Sequence, residues 1–483
     1  MATTRIVPIM IWRRPAAGTQ HTNSRLYRVI HRSYSGCSAS ARDVRARLPG
    51  DGHTGRWGTI VSVTHVLDDL RWRGLVQDST DRGALRSHLG AGPVTFYAGF
   101  DPSAQSLQVG NLVQILTARR LQQAGHRPLL LVGGSTGLIG DPNEEGERTL
   151  QSPEVVAERV ERIRDQLEPF FEFDGPRAAR VVNNLDWTAS LSALEFLRDV
   201  GKHFPVNQML AREVVKARLA AGGISFTEFS YQVLQALDFY HLNQRYGCTL
   251  QHGGSDQWGN IVAGVDYCRR RGAGSVHAFT TPLITRADGT KFGKTAVGMA
   301  LWLDPALTSP YAFYQFWYNA PDADIGNYLR VFSFRSRDEI EGLEKETAER
   351  PAARAAQRTL AEELVTLLHG GAECRQVVAA SQALFGRGSL AELTPQTLRA
   401  ALTETGLVRV TGDLPSAAEL FTTAGLTTGR NQARRTVTEG GAYINNERVA
   451  EADTPVPAAA LLHGRFLVLR RGRRTVAGVE RVT

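Results

Sequence analysis

The 483-residue chain is 42% hydrophobic and 22% charged, an ordinary globular balance with enough length for about three domains. No run approaches the ~18 apolar residues of a membrane-spanning helix, and four scattered cysteines (Cys37, Cys248, Cys268, Cys374) without a C-x-x-C pair or a Cys/His cluster argue against a disulfide scaffold and against any metal site. The net charge of +8 is unevenly placed: ten arginines face only Asp43 and Asp51 in residues 1–58, and ten face six acids in 415–483, so a nucleic-acid surface is expected at the C-terminus.

Residues 1–62 mix Arg, Ser, Thr, Gly and His without a helical or strand period. They read as a disordered or mis-started extension, with a mitochondrial transit peptide as the competing reading. Arginine outnumbers lysine 51 to 5 over the whole chain, so arginine richness alone does not mark a targeting signal. The amphipathic Val66-Leu67-Asp68-Asp69-Leu70-Arg71-Trp72 opens the ordered part.

Val94-Thr95-Phe96-Tyr97 predicts a strand, Leu112, Ile115, Leu116 and Leu121 a helix, and Pro128-Leu129-Leu130-Leu131-Val132 a buried strand. That is a βαβ unit of a parallel sheet, with a ligand crevice expected at the strand C-terminal ends. Cys248-Thr249-Leu250-Gln251 predicts another strand, leading into a helix that runs to about Arg271, and the sheet continues around Ala278-Phe279-Thr280. The fold class is therefore α/β: a Rossmann-like parallel-sheet domain carrying the expected ligand crevice over 63–327, a helical domain over 328–412 rich in Ala, Glu, Arg and Leu, and a small α+β module with a basic face, where the nucleic-acid surface is expected, over 413–483.

Three glycine-rich loops follow predicted strands: 99–111, 133–142 and 253–260. Backbone amides at a strand-to-helix turn favour a phosphate. The loops lack both the G-x-G-x-x-G spacing and the P-loop Gly-Lys-Ser/Thr ending, so neither a dinucleotide oxidoreductase nor a P-loop NTPase is supported. Lys291 and Lys294 flank Phe292-Gly293, two of five lysines in an arginine-saturated chain, which suggests a compact ammonium for pyrophosphate.

These stretches resemble the bacterial tyrosyl-tRNA synthetases, class I enzymes, from about Val66 to the C-terminus. The likeness is carried by Gly99-Phe100-Asp101-Pro102, by Gln108-Val109-Gly110-Asn111 where the family has a His-x-Gly-His signature, by Lys291-Phe292-Gly293-Lys294-Thr295, by 253–260, by 225–231, and by Gly201-Lys202-His203-Phe204. The resemblance implies that Tyr97 and Asp238 bind a phenol hydroxyl, that Asp141, Tyr231 and Gln235 hold the substrate ammonium, and that Gln257 lies near its carboxylate. For ATP it implies Asp256 at the ribose, Gly99 and Gly254 in close backbone contact, and Asp101 in the same pocket. Gln108, Asn111, Lys291, Lys294 and Thr295 would surround the phosphates. It further implies Mg²⁺ with the ATP, L-tyrosine and tRNA(Tyr) as substrates, a homodimer, and Arg430, Arg434, Arg435, Arg470, Arg471, Arg473 and Arg474 on tRNA phosphates.

Two departures stand out. Gln108 keeps a donor but cannot carry a proton charge, and is expected to weaken transition-state binding by ~1–3 kcal/mol. The segment 143–148 is acidic where relatives often carry a lysine, with Arg148 as the matching cation. The competing reading is a catalytically weak paralogue, either an inhibitor-resistant second copy or an RNA-binding regulator; the lysine pair and the Tyr97/Asp238 pair favour the enzyme. The arginine-for-lysine bias suggests a GC-rich bacterial genome, hence bacterial cytoplasm rather than a mitochondrial matrix.

Overall fold

The computed structural model describes residues 65–142, 149–290, 292–293 and 300–482. The expected extension 1–62, Arg148, Lys291, Lys294 and Thr295 lie outside the described residues.

Strands β1 (Thr95–Phe100), β2 (Arg127–Val132), β3 (Arg180–Asn183), β4 (Cys248–Gly254) and β5 (His277–Thr281) form one sheet in the order β3-β2-β1-β4-β5. Every neighbouring pair is parallel. Helices cover both faces, so the strands read as apolar runs rather than alternations. Phe96, Ala98 and Phe100 enter the core shared with helix Leu112–Gln123, while Tyr97 points the other way among Leu129, Leu131, Phe239 and Cys248. The chain builds outward from β1 to β3, then returns to lay β4 on the opposite side of β1. That reversal opens a crevice between the C-terminal ends of β1 and β4.

Helix Phe226–Tyr246 supplies one wall. The Ser225 hydroxyl accepts from the Glu228 amide at its start, and Gly247, at φ +64°, ends it in the left-handed region. Tyr231, Gln235 and Asp238, spaced by four and three, fall on one stripe of this helix facing the crevice.

The helical stretch begins earlier than its expected boundary, with Pro310–Tyr318 and Asp322–Phe332, and continues through Arg337–Glu349, Ala355–His369, Gly371–Ala383 and Pro395–Thr405. Trp317, Phe332, Leu360 and Leu364 share a hydrophobic core with the catalytic sheet. The C-terminal sheet has the order β6 (Leu407–Thr411), β10 (Thr475–Val482), β9 (Phe466–Arg471), β7 (Ala442–Ile444), β8 (Glu447–Arg448). Its first strand thus comes from residues expected in the helical domain. Asn445 and Asn446, at φ +51° and +70°, make the tight β7–β8 turn. Alternation in β9 and β10 splits the sheet: Leu467, Leu469, Ala477 and Val479 face helices Ala417–Thr423 and Arg430–Thr438, whereas Phe466, Val468 and Val476 join Leu398 and Leu402 of helix Pro395–Thr405.

Candidate active site

The crevice encloses about 1070 Å³ and is lined from all three glycine loops together with helix Phe226–Tyr246. Of the residues singled out from sequence, Tyr97, Gly99, Asp101, Asn111, Asp141, Tyr231, Gln235, Asp238, Gly254, Asp256 and Gln257 line it. Gln108 does not; it is exposed and bridges to Trp302 through the backbone. Phe292, between the two lysines, lines the crevice and packs into a cage of Phe316, Trp317, Tyr328 and Phe332.

At the crevice floor Asp238 is 1% exposed. It accepts from Asn184 Nδ2 at 3.0 Å and Trp187 Nε1 at 2.9 Å. Burial pushes its carboxyl up to about 7 against these two donors. The Tyr97 hydroxyl, also buried, has no hydrogen-bond partner among the described residues. Burial and the charge of Asp238 hold that phenol well above its ordinary range, so it stays neutral and able to donate. An acceptor and an unsatisfied hydroxyl at the bottom of one cavity are the complement of a ligand hydroxyl, because a buried polar group without a partner is costly.

Two further carboxylates make the middle of the crevice anionic. Asp101 accepts from Thr136 Oγ1 at 2.7 Å and from the Tyr231 hydroxyl at 2.6 Å. Asp141 accepts from Gln257 Nε2 at 2.8 Å and Asn260 Nδ2 at 3.2 Å, and burial pushes it up to about 6 despite those bonds. Three carboxylates in one crevice, with Arg212 acting on Asp141 from nearby, make a region in which a ligand ammonium would be held by charge. The second glycine loop has to be bare: a Cβ at Gly133 would collide with the Asp101 carboxylate and one at Gly134 with Asn183.

Toward the mouth, Gly99 faces open space and Asp256 is exposed, bonded to Gln257 at 3.0 Å. Asn111 Oδ1 accepts from the Gln108 amide at 2.9 Å, which leaves its Nδ2 available to the crevice. The signature loop is gripped from behind. Gln166 Oε1 accepts from the Leu107 amide at 2.9 Å and from Ser106 Oγ at 3.2 Å. Leu303 N donates to Leu107 O and Val109 N to Leu301 O, both at 2.9 Å, tying the loop to the segment that follows the lysine signature.

Sequence reasoning missed Asn184, Trp187, Thr136, Asn260 and Gln166. Asn184 is the hub: fully buried, it also accepts from Ser135 N at 2.7 Å and donates to Thr136 Oγ1 at 3.1 Å. Its position just beyond β3, at the ligand-bearing end of a parallel strand, was the available signal.

In the C-terminal module, Arg430, Arg434 and Arg435 are exposed on one helix, paired with Glu419, Asp453 and Glu439 respectively. Arg473 and Arg474 are exposed on the β9–β10 turn. Arg470 corrects the sequence expectation: it is 8% exposed, stacks 4.0 Å over Tyr443, and donates to Gly472 O at 2.7 Å. Arg471 donates to Leu426 O at 2.8 Å. The Arg470 guanidinium braces the module from within, whereas Arg471 is half-buried with its Nη1 on the backbone.

Residues 90–386 match the family of class I tRNA synthetases (W and Y), and residues 400–477 the C-terminal domain of tyrosine–tRNA ligases of the SYY-like type. The chain is 61% identical over 420 residues to the tyrosine–tRNA ligase of Streptomyces coelicolor, covering 86% of this chain and 99% of that one. It is 55% identical over 419 residues to that of Mycobacterium bovis, at 86% and 99% coverage. Among solved structures it resembles a C-terminally truncated mitochondrial tyrosyl-tRNA synthetase of Aspergillus nidulans, with a TM-score of 0.61 and 30% identity over 67% of this chain and 94% of that one. A crevice with a buried polar floor and a glycine-lined mouth thus sits in a known lineage, and the chain belongs to the class I tyrosine–tRNA ligase family.

Proposed function

We propose that the crevice activates L-tyrosine with ATP and then transfers it to the 3′ end of tRNA(Tyr). The observation that carries this reading is the orphaned Tyr97 hydroxyl sharing a buried floor with the Asp238 carboxylate: one donates to the phenol oxygen and the other accepts its proton. Asp141, Tyr231 and Gln235 hold the ammonium, and Gln257 sits beside the carboxylate. Asp256 takes the ribose, Gly99 and Gly254 admit the nucleotide to the backbone, and Asp101 braces Tyr231 in the same pocket.

No side chain acts as nucleophile. The tyrosine carboxylate attacks the α-phosphorus in line, pyrophosphate leaves, and the terminal ribose hydroxyl of tRNA then attacks the adenylate carbonyl, releasing AMP. Rate comes from positioning and from neutralising charge on the pyrophosphate, with Asn111, Lys291, Lys294 and Thr295 as the surrounding donors and Gln108, outside the crevice lining, holding Asn111 through its backbone amide. Among the described residues no group of three or more His, Cys, Asp or Glu is placed to hold a metal. Mg²⁺ would enter with the nucleotide and supply further positive charge against the pyrophosphate.

Arg430, Arg434, Arg435, Arg473 and Arg474 face the tRNA backbone. Leu194, Leu197, Val206, Leu210, Leu219 and Phe226 are exposed within one short stretch, an apolar surface that supports a homodimer. No helix among the described residues is long and apolar enough to cross a membrane; with actinobacterial relatives such as those above, the working compartment is the bacterial cytoplasm. Tyrosine-dependent ATP–pyrophosphate exchange tests the first step. Exchange with tyrosine but not phenylalanine is expected, and a folded protein that gives none would favour the RNA-binding regulator.

A further inference from the structure

We infer that Arg399, Arg409 and Arg465, gathered around the buried Glu480, form a second contact surface for the RNA phosphate backbone, on the opposite face of the C-terminal sheet from helix Arg430–Thr438. The inference rests on the reading that tRNA is a substrate and names a surface that this reading did not include.

The four residues come from four elements. Glu480 lies on β10 and Arg409 on β6, while Arg465 immediately precedes β9 and Arg399 belongs to helix Pro395–Thr405. Glu480 is two residues from Gly478, at which a Cβ would strike Leu402 of that helix. By strand alternation both point to this helix and away from Arg430–Thr438. The guanidinium groups approach the Glu480 carboxylate at 3.3 Å (Arg399), 3.4 Å (Arg409) and 2.6 Å (Arg465).

The stoichiometry separates a surface from a clamp. One carboxylate is neutralised by one guanidinium, which can satisfy both oxygens with its fork. Here three converge on one carboxylate, and none of the three has another acidic partner among the described residues. The cluster keeps an excess of two positive charges. On the helix Arg430–Thr438, by contrast, Arg430, Arg434 and Arg435 have an acid each.

Exposure points the same way: Glu480 is fully buried, whereas Arg399, Arg409 and Arg465 remain 48%, 65% and 52% exposed. The carboxylate holds three like charges together from beneath and leaves their outer donors facing solvent. Closely spaced guanidinium forks with unspent donors fit consecutive phosphodiester oxygens.

The test uses the full-length protein and tRNA(Tyr), with affinity measured against salt concentration and charging measured beside ATP–pyrophosphate exchange. The double variant Arg399→Gln, Arg409→Gln keeps the shortest pair, Arg465 with Glu480. Its log–log salt slope should be shallower by about two and its KM for tRNA about tenfold higher at moderate salt, with exchange unchanged. Glu480→Gln raises the local excess from two charges to three and should bind tRNA more tightly with a steeper slope; a clamp predicts no such gain. Should Glu480→Gln fail to fold, the double variant alone decides. A double variant with the parental slope and KM overturns the proposal and leaves a structural clamp, or a surface for an acidic protein. A parent that performs exchange but charges no tRNA would overturn the ligase reading and this surface with it.

Discussion

Changing Tyr97→Phe removes one oxygen that has no hydrogen-bond partner among the described residues, so its effects on the fold and on the ligand should have opposite signs. A buried hydroxyl left unpaired costs about 1–3 kcal/mol; deleting it should leave the melting temperature equal to or above the parent's. The bound tyrosine, however, loses one neutral hydrogen bond, worth about 0.5–1.5 kcal/mol, or roughly 2- to 13-fold in affinity. Phenylalanine has no hydroxyl to lose and gains a less polar floor. Exchange measured with both amino acids should show kcat/KM for tyrosine falling by that factor while that for phenylalanine holds or rises, which narrows discrimination. A variant that melts several degrees lower, or that discriminates as sharply as the parent, would refute the reasoning, because the hydroxyl would then have an internal partner or face away from the substrate.

Asp238→Asn should be worse for both fold and function. Asn184 and Trp187 both donate to this carboxylate, and an amide must turn its own N–H toward one of them. Chemical denaturation should record a loss of about 1–3 kcal/mol, together with loss of tyrosine-dependent exchange. For pH, the folded protein keeps protons on Asp238 up to about 7 and on Asp141 up to about 6, whereas the unfolded chain releases them near pH 4. These groups therefore make unfolding easier as pH rises from about 4 to 7, with no further change above that. Tyrosine binding requires the ionised forms, so affinity should rise from pH 5.5 to 8 with proton release near pH 6. Calorimetry in two buffers of different ionisation enthalpy measures that release, and finding none would remove the proposed ammonium and phenol contacts. Gln166→Leu leaves the Leu107 amide without its acceptor and should lower kcat for exchange about tenfold, with KM for tyrosine within about twofold; a change confined to KM would contradict a loop-positioning role. Gln108→His should speed exchange about tenfold or more if the neutral side chain limits the reaction, and an unchanged rate would remove Gln108 as a handicap.

The parallel sheet and its crevice were legible because Phe96 to Phe100 and Leu129 to Val132 are apolar without alternation and run into the loops 99–111 and 133–142. The wall residues Tyr231, Gln235 and Asp238 came from the family resemblance, and the structure lines the crevice with all three. What the residues alone could not reveal were partnerships across long sequence separations. Asn184 meets Asp238 from 54 positions away and Gln166 meets Leu107 from 59, and neither has a local pattern. Burial misled in the C-terminal module, where an arginine string looked uniformly solvent-facing although Arg470 stacks on Tyr443. The helix Pro310–Tyr318 was not legible because it is so aromatic that it lacks the charged face by which a surface helix is recognised.

The helix Pro395–Thr405 has its own consequence for how such chains can be shuffled. Its Leu398 and Leu402 share one apolar cluster with Phe466 and Val468 on one side and with Leu384 and Leu393 on the other. A recombination crossover just after residue 412 would pair this helix with a foreign sheet and leave mismatched leucines at the seam. Exchange of the C-terminal module between lineages should therefore succeed only when the incoming sheet fits a helix inherited from the other parent, which favours descent of the two as one block.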